Sequence, residues 1–291
     1  MRRYVGLLYL LPWLLGMVFL QVVPIFQSLY YSFTDFSVAQ SPTFVGLRNY
    51  QRIFHTDPDF WNSLSVTIKY VLLAVPAKLL FALFIAVVLN SRLKFINFFR
   101  TLYYLPSILG GSVAISIVWR NLFMKNGTIN QILEILGLGR INWMGSPFMA
   151  LLNISLLTVW QFGSSMVIFL SGLKQISQEL YEAARVDGAS WLRSFFNITL
   201  PLLTPSILFN LIMQMINAFQ EFTSAYVITN GGPAKSTYLY GLKLYQEGFN
   251  YFKMGYASAL SWILFIIILI MTAVIFKYSN KWVFYADGEE F

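Results

Sequence analysis

Six apolar segments, each long enough to cross a lipid bilayer as a helix, constrain this chain more than any other feature. A membrane-spanning helix needs about 20 residues, and the segments cover about residues 5–28, 66–89, 102–122, 148–170, 204–228 and 256–278. Charged residues make up 11% of the 291 residues, whereas a soluble domain carries about 25%, so most of the surface must face lipid. The sequence therefore predicts an all-α integral membrane protein, with one domain of six transmembrane helices over residues 1–291.

Composition excludes several functional classes. The chain has no cysteine and a single histidine, His55, which excludes disulfide frameworks, thiol catalysis and multi-histidine metal sites. An intramembrane enzyme needs a constellation of catalytic groups, and His55 alone does not supply one. The net charge is +8, but the 20 Lys and Arg are scattered and form no basic tract that would bind nucleic acid. We therefore expect no catalytic residue, no metal and no nucleic acid, and basic loops that contact membrane lipid.

Basic residues at the ends of the segments predict the orientation. Arg2 and Arg3 precede the first segment, and a short loop with Arg92 and Arg100 follows the second. Short basic loops favour the cytosolic side, so we expect both termini in the cytosol. The N-terminus also resembles the start of a signal peptide, but its apolar run is long and no small-residue cleavage site follows. An uncleaved first span is the favoured interpretation.

A polar segment, residues 177–201, separates the fourth and fifth apolar segments. Its pattern predicts two short helices, with Ser177 as the cap of the first and Gly188 as the interruption. One interpretation is an ordinary solvated loop, and the other is a docking surface for a cytosolic partner. Because a connector between two helices needs only a few residues, the length of this segment favours the docking surface.

The same segment resembles the EAA motif of ABC importer permeases. The residues that match, at the spacing of the motif, are Glu182-Ala183-Ala184, Gly188, Ile198 and Leu200-Pro201. The stretches at residues 44–50 and 229–234 are similar to outer loops of the oligosaccharide-type, MalF-like permeases. This resemblance covers about residues 5–280 and implies the type I ABC importer permease fold. The chain lacks the extra N-terminal spans and the large extracellular insertion of the maltose-transporter subunit.

The resemblance implies a transport subunit of a bacterial or archaeal cell membrane, and not an enzyme. The implied partners are a second homologous permease, an ABC ATPase dimer that binds ATP and Mg²⁺, an extracytoplasmic solute-binding protein and a carbohydrate, of the oligosaccharide type. The chain itself needs no cofactor. The residues implied to couple to the ATPase are Glu182, Ala183, Ala184, Asp187 and Gly188. The alternative is an ion-coupled secondary transporter, which needs carboxylates within its spans, and only Glu221 qualifies.

The fifth segment carries four polar residues, namely Asn210, Gln214, Asn217 and Glu221. On a continuous helix their spacing places them on one stripe about 60° wide. Amide side chains both donate and accept hydrogen bonds, as sugar hydroxyls require, so one hypothesis is a sugar-facing wall of the translocation path. The other is hydrogen bonding between helices that holds the subunits together.

Three further residues are candidates with two possible roles each. Trp160 and Ser164 share a face of the fourth segment and continue the path if the indole stacks on a sugar ring, although an aromatic in a membrane helix also serves packing. Lys78 lies in the second segment, where a charge costs about 2.5–3.5 kcal/mol on insertion. It either pairs with Glu221 or the partner permease, or extends its long side chain to an interface.

Overall fold

The computed structural model describes residues 5–38, 40–90 and 95–284, and their regular structure is helical apart from two isolated antiparallel bridges. The α-helices are α1 (Val5–Met17), α2 (Val23–Ser32), α3 (Arg48–Gln51), α4 (Pro58–Leu89), α5 (Ile96–Leu109), α6 (Val113–Leu122), α7 (Thr128–Ile135), α8 (Pro147–Trp160), α9 (Gly163–Gln175), α10 (Gln178–Val186), α11 (Trp191–Ser194), α12 (Leu200–Phe219), α13 (Tyr240–Tyr245) and α14 (Met254–Ser279). Wider π-helical turns cover Val18–Val22, Arg52–Thr56, Phe195–Thr199, Ala225–Thr229 and Gln246–Asn250.

Four stretches of helix in the described residues are long and apolar enough to cross a membrane. They are Tyr9–Ser32, Pro58–Leu89, Trp191–Phe219 and Met254–Ser279. The pairs α5–α6 and α8–α9 pass the same test jointly but are bent, by 104° and 46°. Within the described ranges, the helices long and apolar enough to cross a membrane therefore number four, or up to six if each bent pair is one span.

The third apolar segment is broken, where the sequence pattern predicts one helix over 102–122. The chain turns between α5 and α6 at Gly110 and Gly111, and Gly111 has a φ of +78°, a conformation that favours glycine. A Cβ on Gly110 would lie 2.6 Å from Cδ of Gln161. Ser112 then caps α6, because its hydroxyl accepts a hydrogen bond from the Ile115 amide at 3.2 Å.

The fourth segment bends at Gln161, and a serine from α5 bonds both sides of the bend. The Ser107 hydroxyl donates to the Gln161 carbonyl and accepts from the Ser164 amide, each at 3.0 Å. Gly163 permits this approach, since a Cβ there would lie 2.5 Å from the Tyr103 carbonyl oxygen. The bent pairs therefore pack against each other at their breaks.

The fifth apolar segment also ends earlier than its hydropathy predicts. Helix α12 stops at Phe219, and a separate helical turn covers Ala225–Thr229. Between them, Oε1 of Glu221 accepts hydrogen bonds from the amide and the hydroxyl of Ser224, both at 2.9 Å. The expectation that Glu221 continues the stripe of α12 is wrong, because Glu221 lies past the helix and acts as a cap for the next turn.

The chain forms two compact units, one with residues up to Trp61 and Lys243–Ile267, and the other with Asn62–Leu242 and the residues from Ile268 onward. In the first unit, Nζ of the buried Lys243 lies 2.6 Å from Oδ2 of Asp57 and 3.8 Å from Oε1 of Glu247. The Tyr256 hydroxyl donates to the same oxygen of Asp57. This ion cluster joins the residue before α4 to α13 and the start of α14.

Candidate functional site

A polar cavity of about 330 Å³ lies in the second unit, where the breaks in the helices meet. Its walls are Tyr70, Val75, Lys78, Ser107, Gly110, Gly111, Thr158, Gln161, Ser164, Gln214, Asn217, Ala218 and Glu221. Irregular backbone at membrane depth is tolerated only where protein buries it or where it lines a cavity. The location of the breaks therefore agrees with a cavity inside the membrane region.

Helical spacing aligns the side chains on the two continuous walls. Tyr70 and Lys78 lie eight residues apart on α4, close to two turns, and therefore share a face. Gln214 and Asn217 lie three residues apart on α12 and also share a face. The bends described above supply the remaining walls.

Some polar groups of the cavity already have structural partners. The hydroxyls of Tyr70 and Thr158 lie 2.6 Å apart and join α4 to α8. Ser107 forms hydrogen bonds on both sides of the bend at Gln161. Glu221 accepts a hydrogen bond from the Ser224 amide and so caps the helical turn that follows. These groups maintain the walls.

Other polar side chains of the cavity have no partner in the part of the chain that the structure describes. No described residue forms a hydrogen bond with the side chains of Lys78, Gln161, Ser164, Gln214 or Asn217. Lys78 and Gln214 are each only 7% exposed. A buried polar group without a partner costs about 1–3 kcal/mol, so these groups require water, a solute or another chain.

The cavity contains two opposite charges that do not form a direct ion pair. The Lys78 ammonium interacts electrostatically with Glu221, but no N–O distance of 4.0 Å or less joins them within the described ranges. Of the two pairing partners expected for Lys78, Glu221 is therefore near it, in the same cavity, but not in contact.

The cavity contains four of the six residues expected along the substrate path, namely Ser164, Gln214, Asn217 and Glu221. Asn210 lies outside it, fully buried, and its Nδ2 donates to the Ser165 carbonyl at 3.5 Å. Trp160 also lies outside, with its ring centroid 5.8 Å from that of Trp119. The contact of Asn210 is a hydrogen bond between two helices of this chain, and the ring contact of Trp160 favours packing.

Several residues that line the cavity were not among the candidates predicted from the sequence. Tyr70, Ser107 and Thr158 lie in helices that also carry other polar residues, and nothing in their spacing marks them. Gly110 and Gly111 did carry a signal, because adjacent glycines inside an apolar run indicate a break. The pairing of Gln161 with Ser107 depends on tertiary packing and has no signal in the sequence.

The polar segment after α9 forms α10 and α11. Only α10 is a separate short helix as predicted, because α11 continues through the turn at Phe195–Thr199 into α12, in one helical stretch from Trp191 to Phe219. The Ser177 hydroxyl accepts from the Glu179 amide at 3.3 Å, which confirms the expected cap. Gly188 ends α10 with a φ of +73° and has open space where a Cβ would lie. The Tyr181 and Thr199 hydroxyls, 2.8 Å apart, connect α10 to the start of the next apolar stretch.

The surface of this segment is exposed and combines charge with apolar area. Glu182, Ala183, Asp187 and Gly188 are exposed, and Ala184 is half-buried. On the same two helices, the exposed large apolar residues are Leu180, Val186, Trp191 and Leu192. Clusters of exposed apolar residues rimmed by polar ones are typical of protein-protein contact sites.

Comparisons with known proteins address the class of the chain. The family model described as "Binding-protein-dependent transport system inner membrane component" matches residues 57–284. A probable ABC transporter permease protein of Bacillus subtilis, YesP, is 49% identical over 98% of this chain and 93% of its own length. The trehalose/maltose transport system permease protein MalF of Thermococcus litoralis is 34% identical over 94% of this chain and 92% of its own.

A solved structure confirms the fold class. The bacterial alginate ABC transporter, in complex with an alginate pentasaccharide-bound periplasmic protein, contains a chain that superposes with a TM-score of 0.83 at 18% identity. The match covers 96% of this chain and 95% of that one. The all-α, type I ABC importer permease fold expected from the sequence is therefore correct. The chain belongs to the binding-protein-dependent transport system inner membrane component family, as a multi-pass ABC transporter permease subunit.

Proposed function

We propose that this chain carries a carbohydrate, of the oligosaccharide type, through the membrane as one permease subunit of an ATP-driven importer. The observation that carries the proposal is the polar cavity, whose amide side chains Gln161, Gln214 and Asn217 lack protein partners among the described residues. Amides both donate and accept hydrogen bonds, which matches the hydroxyls of a sugar. Relatives named for trehalose/maltose transport and for alginate import support the same substrate class.

The proposed assembly supplies what this chain lacks. A second, homologous permease completes the path, and an extracytoplasmic binding protein delivers the sugar. Two ATPase subunits bind ATP and Mg²⁺ on the cytosolic side, where both termini of this chain also lie. The structure supports a docked partner through the exposed apolar and charged surface of α10 and α11.

The coupling segment transmits the ATPase motion in this proposal. Glu182 and Asp187 provide charged anchors, the small residues Ala183 and Ala184 permit close approach, and Gly188 allows the turn between the helices. When ATP closes the ATPase dimer, the segment moves with it and the spans change from inward-facing to outward-facing. Hydrolysis then resets the cycle.

Transport by the reconstituted complex tests the function. The complete complex in proteoliposomes, with ATP inside the compartment that contains the ATPase and with the binding protein outside, accumulates oligosaccharide. Complex that lacks the ATPase does not, even under a proton or sodium gradient. Gradient-driven uptake without the ATPase would instead support an ion-coupled secondary transporter.

A pair of glycine variants tests the coupling role. Gly188 and Gly137 have nearly equal φ angles, +73° and +74°, and both have open space at the Cβ position, so Leu introduces the same backbone strain at each. Gly188→Leu abolishes the ATPase activity stimulated by the sugar-loaded binding protein, whereas Gly137→Leu retains it. Equal activity of the two variants contradicts the assignment.

A further inference from the structure

Lys78 is the one basic side chain that lines the cavity in the described part of the chain. It lies on α4, in a stretch of helix apolar enough to cross the membrane. A charge at such a position is costly and faces a cavity or a partner. The position of Lys78 therefore calls for an anion within reach of its ammonium.

The protein provides only part of that compensation. Glu221 shares the cavity and interacts with Lys78 through its charge. Its Oε1, however, is engaged by the amide and the hydroxyl of Ser224, and no contact of 4.0 Å or less joins the two charges among the described residues. The ammonium thus keeps all three of its donors free toward the cavity.

The other polar side chains of the cavity cannot neutralise the Lys78 charge. Gln161, Ser164, Gln214 and Asn217 are neutral, and none of them bonds to Lys78 within the ranges described. The ammonium forms a charge-assisted hydrogen bond with any acceptor, but only an anionic acceptor adds direct Coulomb attraction between opposite charges. The group that best completes this cavity is therefore an anionic substituent carried by the solute.

We propose that Lys78 makes the cavity selective for acidic oligosaccharides, by binding the carboxylate of a uronate-type sugar while the amides bind its hydroxyls. The proposal rests on the proposed function, because it names the substrate class of the same cavity. Glu221, as an acceptor beside the amides, receives hydrogen bonds from hydroxyls and disfavours a second carboxylate at that end.

Transport of matched sugars tests the proposal. The complete complex, with its binding protein at saturation, is given oligogalacturonates, their carboxyl-reduced neutral forms and malto-oligosaccharides. Wild-type complex transports the acidic sugar best. Lys78→Gln lowers the transport of the acidic sugar at least tenfold and changes that of a neutral sugar less than twofold, whereas Lys78→Arg retains most acidic transport.

Lys69 provides a matched control, since it lies on the same helix but is exposed and does not line the cavity. Lys69→Gln leaves the ratio of acidic to neutral transport unchanged. Co-purification of the Lys78→Gln subunit with the partner permease and the ATPase, in the same proportions as wild type, separates lost selectivity from failed assembly. If Lys78→Gln does not assemble, Lys78→Arg and Lys78→Met at equal expression give the same comparison.

The outcomes distinguish the two proposals. Transport of neutral sugars alone by the wild-type complex, or an equal loss for acidic and neutral sugars in Lys78→Gln, overturns the selectivity and leaves carbohydrate import standing. A wild-type complex that transports no oligosaccharide of either kind overturns the proposed function itself.

Discussion

Asp57→Asn removes the charge that compensates the buried Lys243 ammonium at 2.6 Å. Breaking a buried ion pair by removing one partner costs about 3–5 kcal/mol. Glu247, at 3.8 Å from the same ammonium, retains part of the compensation, and the new amide oxygen still accepts a hydrogen bond. We therefore expect the free energy of unfolding to fall by about 3 kcal/mol, the lower end of that range.

Thermal unfolding of the purified protein in detergent measures this loss. At about 2–4 °C per kcal/mol for chains of this size class, Tm falls by roughly 6–12 °C. The control is Asp35→Asn, because the Asp35–Arg48 pair spans 3.8 Å with side chains 65% and 71% exposed. Exposed pairs contribute about 0–1 kcal/mol, so this Tm shifts by about 4 °C at most.

The double variant Asp57→Asn/Lys243→Met extends the test. The double variant has no uncompensated ammonium, so we expect it to recover part of the Tm that Asp57→Asn loses. Equal Tm shifts in Asp57→Asn and Asp35→Asn would contradict a stabilising buried ion pair. A loss in the double variant that is the sum of the two single losses, without any recovery, would contradict it as well.

Three further predictions concern the same fold. Gly163→Ala destabilises the protein by about 1–3 kcal/mol in thermal unfolding, because its Cβ meets the backbone of α5, whereas Gly16→Ala, with no atom within 4 Å, does not. Asn217→Leu lowers sugar transport at unchanged Tm, and Asn210→Leu lowers Tm, since only Asn217 lines the cavity. Burial raises the pKa of Asp57, but hydrogen bonds from Lys243 and Tyr256 and the Lys243 charge outweigh it, so this pKa is lowered. The ionised Asp57 therefore stabilises the fold fully above its unfolded pKa of about 3.9, and this stabilisation is lost as pH falls through the lower folded pKa. When the free energy of unfolding is measured against pH, Asp57→Asn lacks this loss.

Hydropathy predicts where apolar helix lies and not where it bends. The segments that became Pro58–Leu89 and Met254–Ser279 are continuous helices, as their hydropathy predicts. The third and fourth segments are also apolar, but the third turns at Gly110 and Gly111, and the fourth bends where Ser107 contacts Gln161, a contact that forms only between folded elements. An average over apolar residues does not register such a contact.

Helical spacing predicts which side chains share a face only for as long as the helix continues. Gln214 and Asn217 share a face and line the cavity, as their spacing predicts. Glu221 reaches the same cavity from beyond the end of α12, so its position there does not follow from helical geometry. No glycine or proline marks that end, and the residue there is Gln220, which is why the sequence suggested a longer helix.

The polar groups around the cavity divide by whether the protein itself satisfies them. Ser107, Ser112 and Glu221 each bond a break in the helices, so the cost of irregular backbone inside a membrane is offset locally. The side chains of Lys78 and Gln214 do not hydrogen-bond the backbone at any helix break, and no described residue forms a hydrogen bond with them. If the cavity served only structure, apolar residues at these two positions would be more stable. Their polarity is therefore best explained by a polar solute that occupies the cavity during transport.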